Sequence, residues 1–130
     1  MTKLTELDYV DNAEQVIKDL RVQNKRGDNE IRLTTSKIRN LLSMISGIYN
    51  DAIHDTNESL NNEIKSRIQY LRLRFAYEAG REQTVKEFVE KADILNHISR
   101  IGDKRSEFLL FCRYMEALVA YHKFYGGRDQ

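Results

Sequence analysis

Proline is absent from the 130 residues of this chain. All-β and loop-rich domains of this length normally place several prolines at turns, whereas the interior of a helix excludes proline. Apolar residues also recur at the i, i+3, i+4, i+7 spacing of an amphipathic helix in five stretches. These two features predict an all-α fold, a compact bundle of about five helices in a single domain, with one hydrophobic core and no sheet.

The apolar stripes and the turn-forming residues between them set the expected helix positions. A side-chain hydroxyl among residues 34–36 is expected to cap the second helix, and Thr56 or Asn57 is expected to cap the third. Gly80 is expected to end the third helix. Residues 1–30 are predicted to form an N-terminal helix and a polar loop at 24–29, and residues 31–127 the core bundle. The expected helices cover about residues 12–23, 34–55, 57–80, 85–101 and 106–126, the last ending at Gly126 and Gly127.

The cysteine content and the hydropathy of the sequence indicate in which cellular compartment the protein is expected. The one cysteine, Cys112, cannot form an internal disulfide and fits a reducing compartment. It lies with Phe111, Met115 and Leu118 on the core stripe of the fifth helix, so we expect these side chains to be buried and the thiol to be inert. The mixed, acidic first residues indicate no signal peptide, and no apolar run approaches the ~20 residues of a membrane span. We therefore expect a cytoplasmic protein with no membrane partner.

Catalytic signatures are missing from the sequence. It contains no glycine-rich phosphate loop, no His-Glu-x-x-His and no Cys-x-x-Cys. The histidines, His54, His97 and His122, are scattered singly. Asp51, His54 and Asp55 could meet at the end of the second helix and hold a metal, but a polar helix end without a fourth ligand explains them more simply. We expect no enzyme, no metal and no cofactor.

A stripe of alternating arginine and tyrosine is the most distinctive feature of the third helix. At 100° per residue its five members fall within an arc of about 80°, beside the apolar stripe. Arginine forks onto phosphate oxygens and tyrosine stacks on bases, so the stripe suits a nucleic-acid strand. A solvated flank in which arginine stems cover tyrosine rings is the alternative, and such packing is frequent. The members are Arg67, Tyr70, Arg74, Tyr77 and Arg81.

The second helix carries two companion features. Lys37 and Arg39 flank its first turn, where free amide groups attract phosphate. Gly47 in its middle costs about 1 kcal/mol relative to alanine, which suggests that a partner helix or a sugar-phosphate strand approaches there, although a tolerated glycine fits equally well. Residues 31–81 hold eight basic and five acidic side chains, a mildly basic region compatible with a polyanion.

Three segments resemble the small subunit of type III-A CRISPR–Cas (Csm) effector complexes. They are LTTSKIRNLL at 33–42, YLRLRFAYEAGR at 70–81 and FCRYMEALVAYHKFYGG at 111–127. In that family they correspond to the opening of the first core helix, a Tyr-rich and Arg-containing helix ending in Gly-Arg, and the C-terminal helix. Order and spacing agree over about residues 31–127, and residues 1–30 carry no matching motif.

The resemblance implies a structural role without nuclease activity. Several copies of such a subunit stack beside the backbone filament and line the channel in which guide RNA and target RNA pair. The implied partners are both RNAs, other Csm subunits and copies of itself. A helical adaptor or dimerisation module with no nucleic-acid role is the alternative, and an enzyme with an unrecognised polar site is a third. The residues expected to contact RNA, without reading its sequence, are Lys37, Arg39, Arg67, Tyr70, Arg74, Tyr77 and Arg81.

Overall fold

Six helices and one short β-hairpin account for the secondary structure of residues 3–126, the part of the chain that the computed structural model describes. The expectation of a mostly helical, single-domain bundle is confirmed. In chain order the elements are α1 (Tyr9–Leu20), β1 (Arg21–Gln23), β2 (Asn29–Ile31), α2 (Thr35–Ile53), α3 (Asn62–Arg81), α4 (Gln83–Lys91), α5 (Ile94–Ile101) and α6 (Arg105–Phe124).

The hairpin contradicts the prediction of a fold without a sheet. The first helix ends at Leu20, three residues earlier than expected, and the predicted polar loop is the turn between two antiparallel strands. The Asn24 side chain accepts hydrogen bonds from the backbone N–H groups of Arg26 (2.9 Å) and Asp28 (3.1 Å). Gly27 supplies the positive φ of 84° that the turn needs. The turn chemistry was visible in the sequence, but the strands are too short to show a period of two.

The predicted fourth helix is two helices. Asp93 breaks it with a left-handed backbone (φ 56°), a conformation that a short polar side chain tolerates. The carbonyl oxygen of Ala92 accepts a hydrogen bond from the buried Tyr114 hydroxyl at 3.0 Å. Periodicity did not reveal the break because the apolar faces of α4 and α5 both point into the same core.

Helix ends match the prediction at α2 but not at α3. Thr34 caps α2, its hydroxyl accepting from the N–H of Lys37 at 3.3 Å. Asn61, rather than Thr56 or Asn57, caps α3 by accepting from the N–H of Ile64 at 2.8 Å. Gly80 does not end α3, which continues to Arg81. At the other terminus α6 ends at Phe124, and the predicted stop residue Gly127 lies outside the described residues.

Helix α6 occupies the centre of the bundle and packs against α1, α2 and α5. Phe111, Met115 and Leu118 are buried, as predicted, and Tyr114 is fully buried although it lies outside the predicted core stripe. Because α6 fills the centre, α2 and α3 pack together as an outer pair with one face each toward solvent. None of the helices within residues 3–126 is long and apolar enough to cross a bilayer.

Candidate nucleic-acid interface

A groove runs between α2 and α3, which lie antiparallel. The start of α2 lies beside the end of α3, where Lys37 forms an ion pair with Glu82 just beyond α3. The other end of α2 lies beside the start of α3, where Asp51 forms an ion pair with Arg67. Two connected depressions of about 450 and 590 Å³ make up the groove. It therefore follows most of the length of both helices.

Five of the seven residues predicted to contact RNA line this groove, and two do not. Arg39 is exposed on another side of α2, because two residues of helix turn a side chain by about 200° from Lys37. Tyr77 is 61% exposed and points along the outer side of α3. The groove-lining members of the predicted set are Lys37, Arg67, Tyr70, Arg74 and Arg81.

The close neighbour of Gly47 is an arginine of the same chain. A Cβ atom built on Gly47 would lie 3.4 Å from Nη2 of Arg67. The Arg67 guanidinium thus crosses the groove over the bare backbone and reaches the carboxylate of Asp51 on the next turn of α2. A partner helix or a nucleic-acid strand was expected to approach Gly47. The group that lies over it in this structure is the Arg67 side chain of the same chain.

Glu78 lies between two arginines on α3. Its Oε2 is 3.4 Å from Nη2 of Arg74, and its Oε1 is 3.5 Å from Nη1 of Arg81. The Glu78 side chain is 22% exposed, against 44% for Arg74 and 56% for Arg81. A hydrogen bond to Tyr70 and then the bond to Glu78 raise the pKa of Arg74 above its ordinary value. The carboxylate therefore sits under the two guanidinium groups, on the side toward the core.

The charges in the groove nearly cancel. Four cations line it, and each forms an ion pair with a carboxylate of the same chain, Glu78 serving two of them. One positive charge is left in excess. Past Arg67 a further depression carries Asp51, Asp55 and Glu63, so the groove changes sign at that end. A polyanion would therefore follow α3 from Arg81 to Arg67 and leave the groove there.

The outer face of α3 contains no charged residue. Tyr70, Leu73 and Tyr77 are each about 60% exposed, and the guanidinium of Arg81 lies 5.7 Å from the ring centre of Tyr77 at its edge. Uncharged, aromatic surfaces of this kind are typical of protein interfaces. The alternating stripe thus divides, with the three arginines at the groove and Tyr77 on the ridge beside it, while Tyr70 borders both surfaces. The outer face consists of Asn62, Ser66, Gln69, Tyr70, Leu73, Ala76, Tyr77 and Gly80.

The acidic partners of these cations and the exposed Leu73 were not predicted from the sequence. Glu78 could have been found, since it follows Arg74 by four residues and precedes Arg81 by three, the spacings at which helix side chains meet. Asp51 and Glu82 approach their cations only through the packing of α2 against α3, which no local pattern shows. Leu73 lies outside the apolar stripe of α3, and its exposure identifies it as part of the outer face.

The other reactive groups lie apart from the groove. Cys112 is buried, as predicted, and burial raises the pKa of its thiol well above the usual range. His97 is buried against the edge of Tyr114, and Nε2 of His122 lies 2.6 Å from the carbonyl oxygen of Leu33. Asp51, which could have joined His54 and Asp55 in a metal site, forms an ion pair with Arg67. Within residues 3–126, no three His, Cys, Asp or Glu side chains form a group that could hold a metal ion.

Comparison with known proteins gives one consistent family. Residues 10–128 match the family model described as Csm2 Type III-A. A Streptococcus thermophilus protein named "CRISPR system Cms protein Csm2" is 47% identical over 129 residues, covering 99% of this chain and all of the relative. Proteins of the same name from Mycobacterium tuberculosis and Enterococcus italicus are 43% and 38% identical, each over at least 95% of both chains.

Proposed function

The chain belongs to the Csm2 family of type III-A CRISPR systems, and we propose that it lines the channel in which guide RNA and target RNA pair. Csm2 is a small structural subunit of type III-A Csm complexes. The proposal adds to that membership a non-catalytic role in the cytoplasm, in which this chain contacts the RNA backbone. The resemblance of its three helical segments to this family is confirmed.

The observation that carries the proposal is the row of arginines along the α2–α3 groove. Arg67, Arg74 and Arg81 are seven residues apart, which places neighbours about 10 Å apart along the helix axis. They can therefore contact phosphates spread over several nucleotides of one strand. Lys37 adds a cation from the facing helix. Such a row would hold the backbone of either the guide RNA or the target RNA.

Backbone contact carries no sequence information, because arginine–phosphate contacts are the same for every base. Sequence choice would rest with the guide RNA. Tyr70 lines the groove, where its ring could stack on a base or a ribose. Such stacking also works with any base sequence. The near-neutral groove predicts that one copy binds RNA weakly, and that copies side by side raise the overall affinity.

The outer face of α3 favours a second role in assembly. Its uncharged tyrosine and leucine side chains suit contact with other Csm subunits or with copies of this chain. The face also supports the alternative function, a helical adaptor with no nucleic-acid role. The two functions are separable because the arginines and the outer face point in different directions from α3.

A salt series tests the proposal. Csm complexes containing the chain with Arg67, Arg74 and Arg81 replaced together by alanine should bind target RNA more weakly than the wild type. The slope of log affinity against log salt should flatten by roughly 0.7–0.9 for each phosphate that the variant no longer binds. The reduction in affinity should be the same for every guide and its matched target.

The matched control removes three cations that do not line the groove. Arg72, Lys86 and Lys91 are exposed on α3 and α4, and their joint replacement by alanine removes the same charge. The control complex should keep the affinity and the slope of the wild type. Equal affinities and slopes for the groove variant and the wild type, with both complexes fully assembled, would favour the adaptor function instead.

A further inference from the structure

We propose that Glu78 is an intramolecular competitor for RNA phosphate, which lowers the affinity of the α2–α3 groove for any single strand. Asp51 and Glu82 act in the same way on Arg67 and Lys37. The inference rests on the proposed function, and it assigns a specificity role to carboxylates that lie inside a cationic site. By weakening each contact, they make stable binding depend on many contacts formed at once.

The geometry distinguishes a competitor from an incidental neighbour. Glu78 contacts both Arg74 (3.4 Å) and Arg81 (3.5 Å), so one carboxylate forms ion pairs with two of the three arginines that line the groove. Its side chain is the least exposed of these three, whereas both guanidinium groups lie at the surface. The arginines can therefore turn outward to phosphate on their flexible stems, while Glu78 remains close beneath them.

Two physical effects follow from this arrangement. A phosphate oxygen must take the place of Glu78 at Arg74 or Arg81. The phosphate is then close to the negative charge of Glu78, which repels it. The carboxylate then attracts a cation from solution when the arginines leave it, so fewer counterions are released overall. Removing the charge should therefore tighten binding and steepen its salt dependence.

Glu78→Gln tests the inference because it removes the charge and keeps the shape. In assembled Csm complexes this variant should bind RNA about 2- to 5-fold tighter at low salt, the range expected for an exposed ion pair. The gain should appear for matched target RNA and for an unmatched RNA of the same length. The salt slope should steepen by up to about one counterion.

Two controls isolate the mechanism. Glu87→Gln removes the same charge from an exposed position of α4 that does not line the groove, and it should leave affinity unchanged. Adding Glu78→Gln to Arg74→Ala/Arg81→Ala should not raise the RNA affinity above that of the double variant, because both arginines that Glu78 contacts are then absent. Thermal melting of each complex verifies that the fold is kept.

The outcomes separate this inference from the proposed function. Unchanged or weaker binding by Glu78→Gln, with Arg74→Ala/Arg81→Ala still weakened, overturns the inference and leaves the RNA role standing. An equal gain in both backgrounds overturns it as well, because Glu78 would then act as a general repulsive charge. Wild-type affinity for Arg74→Ala/Arg81→Ala and for the triple arginine variant removes both the RNA role and the inference.

Discussion

The guanidinium of Arg67 lies over Gly47, with Nη2 3.4 Å from where a Cβ atom of residue 47 would be. The contact joins the middle of α2 to the first turns of α3. The backbone of residue 47 carries no side chain, so it leaves room for the arginine to reach Asp51. The same distance decides what a substitution would do.

Gly47→Ala should stabilise the fold by about 0.5–1 kcal/mol, because glycine in a helix interior is disfavoured by that amount. The atom that the new methyl group would meet is the end of a flexible side chain, which can move by a few tenths of an ångström. We expect the melting temperature to rise by roughly 2–6 °C.

Gly47→Leu serves as the contrasting variant. The larger side chain should displace Arg67 from Asp51, and it should weaken RNA binding by the complex while the helix still forms. A lower melting temperature for Gly47→Ala would mean that Arg67 cannot move aside, and that its position over Gly47 is part of the packing.

Arg105 connects the start of α6 to the end of α2. Its Nε donates to the carbonyl oxygen of Ala52 at 2.6 Å, and its Nη2 donates to that of Ile53 at 2.9 Å. These carbonyls lie at the C-terminus of α2, where a cation is favourable. The Ala52 carbonyl oxygen also accepts from the backbone N–H of Asp55 at 3.2 Å. Arg105→Ala should therefore lower the free energy of unfolding by about 2 kcal/mol.

Arg105→Lys should recover part of that stability, since lysine keeps the charge but cannot present two donors in a fork. Urea unfolding of the three proteins measures the difference. Equal stabilities for Arg105→Ala and the wild type would show that water replaces the arginine at both carbonyls.

The core prediction can be tested at Met115, which is fully buried in α6. Met115→Ala should destabilise the fold by about 2–5 kcal/mol, because it buries less apolar surface and leaves a cavity. Leu73→Ala is the control, since Leu73 is 61% exposed and its truncation should change stability by less than about 0.5 kcal/mol. Similar melting temperatures for Met115→Ala and Leu73→Ala would contradict the assignment of α6 to the centre of the bundle.

The core could be predicted because a buried stripe on a helix leaves a local signal. Phe111, Met115 and Leu118 lie three and four residues apart, and the structure buries them all. The break at Asp93 left no such signal, because it depends on the Tyr114 hydroxyl meeting the carbonyl of Ala92 from another helix. Likewise Asn61 rather than Asn57 caps α3, a choice made by tertiary contacts of the preceding loop with the start of α6.

The candidate site divides in the same way. Arg67, Arg74 and Arg81 were predicted on one flank of α3, and all three line the groove. That flank is set by helical geometry alone. The neutralisation of the groove was not predicted, because the Arg67–Asp51 and Lys37–Glu82 pairs join different elements. RNA contact by these residues stays a prediction.

Acid should weaken the fold through His97. Burial first of all lowers the pKa of this histidine, with Arg100 acting in the same direction and Asp93 opposing. Above the ordinary pKa of about 6.5 the histidine is neutral in both folded and unfolded chains, and its contribution is fully present. As pH falls below that value the unfolded chain binds the proton first, so stability decreases until the lowered folded pKa is reached.

His97→Phe isolates this contribution and keeps a ring against Tyr114, which lies 5.2 Å away between ring centres. All other titratable groups are common to the two proteins. Between about pH 7 and pH 5 the wild type should lose more stability than the variant, by up to 1.4 kcal/mol per pH unit at most. Parallel urea midpoints across that range would show that His97 keeps its ordinary pKa.

Leu73→Glu separates assembly from RNA contact. Leu73 is exposed in the middle of the uncharged outer face of α3, so a charge there should leave the circular dichroism spectrum and the melting temperature of the free chain unchanged. It would strongly disfavour burial of that face against another protein. If the outer face of α3 contacts other Csm subunits or a second copy, size-exclusion chromatography should show less of the variant in the complex.

The arginine variant should behave in the opposite way. Replacing Arg67, Arg74 and Arg81 by alanine leaves the outer face intact, so the chain should enter the complex at wild-type stoichiometry and lose RNA affinity there. Leu73→Glu incorporated at wild-type stoichiometry would show that the outer face stays in solvent. Failure of both variants to assemble would mean that the arginines are also needed for the chain to enter the complex, so that assembly and RNA contact could not be separated by these variants.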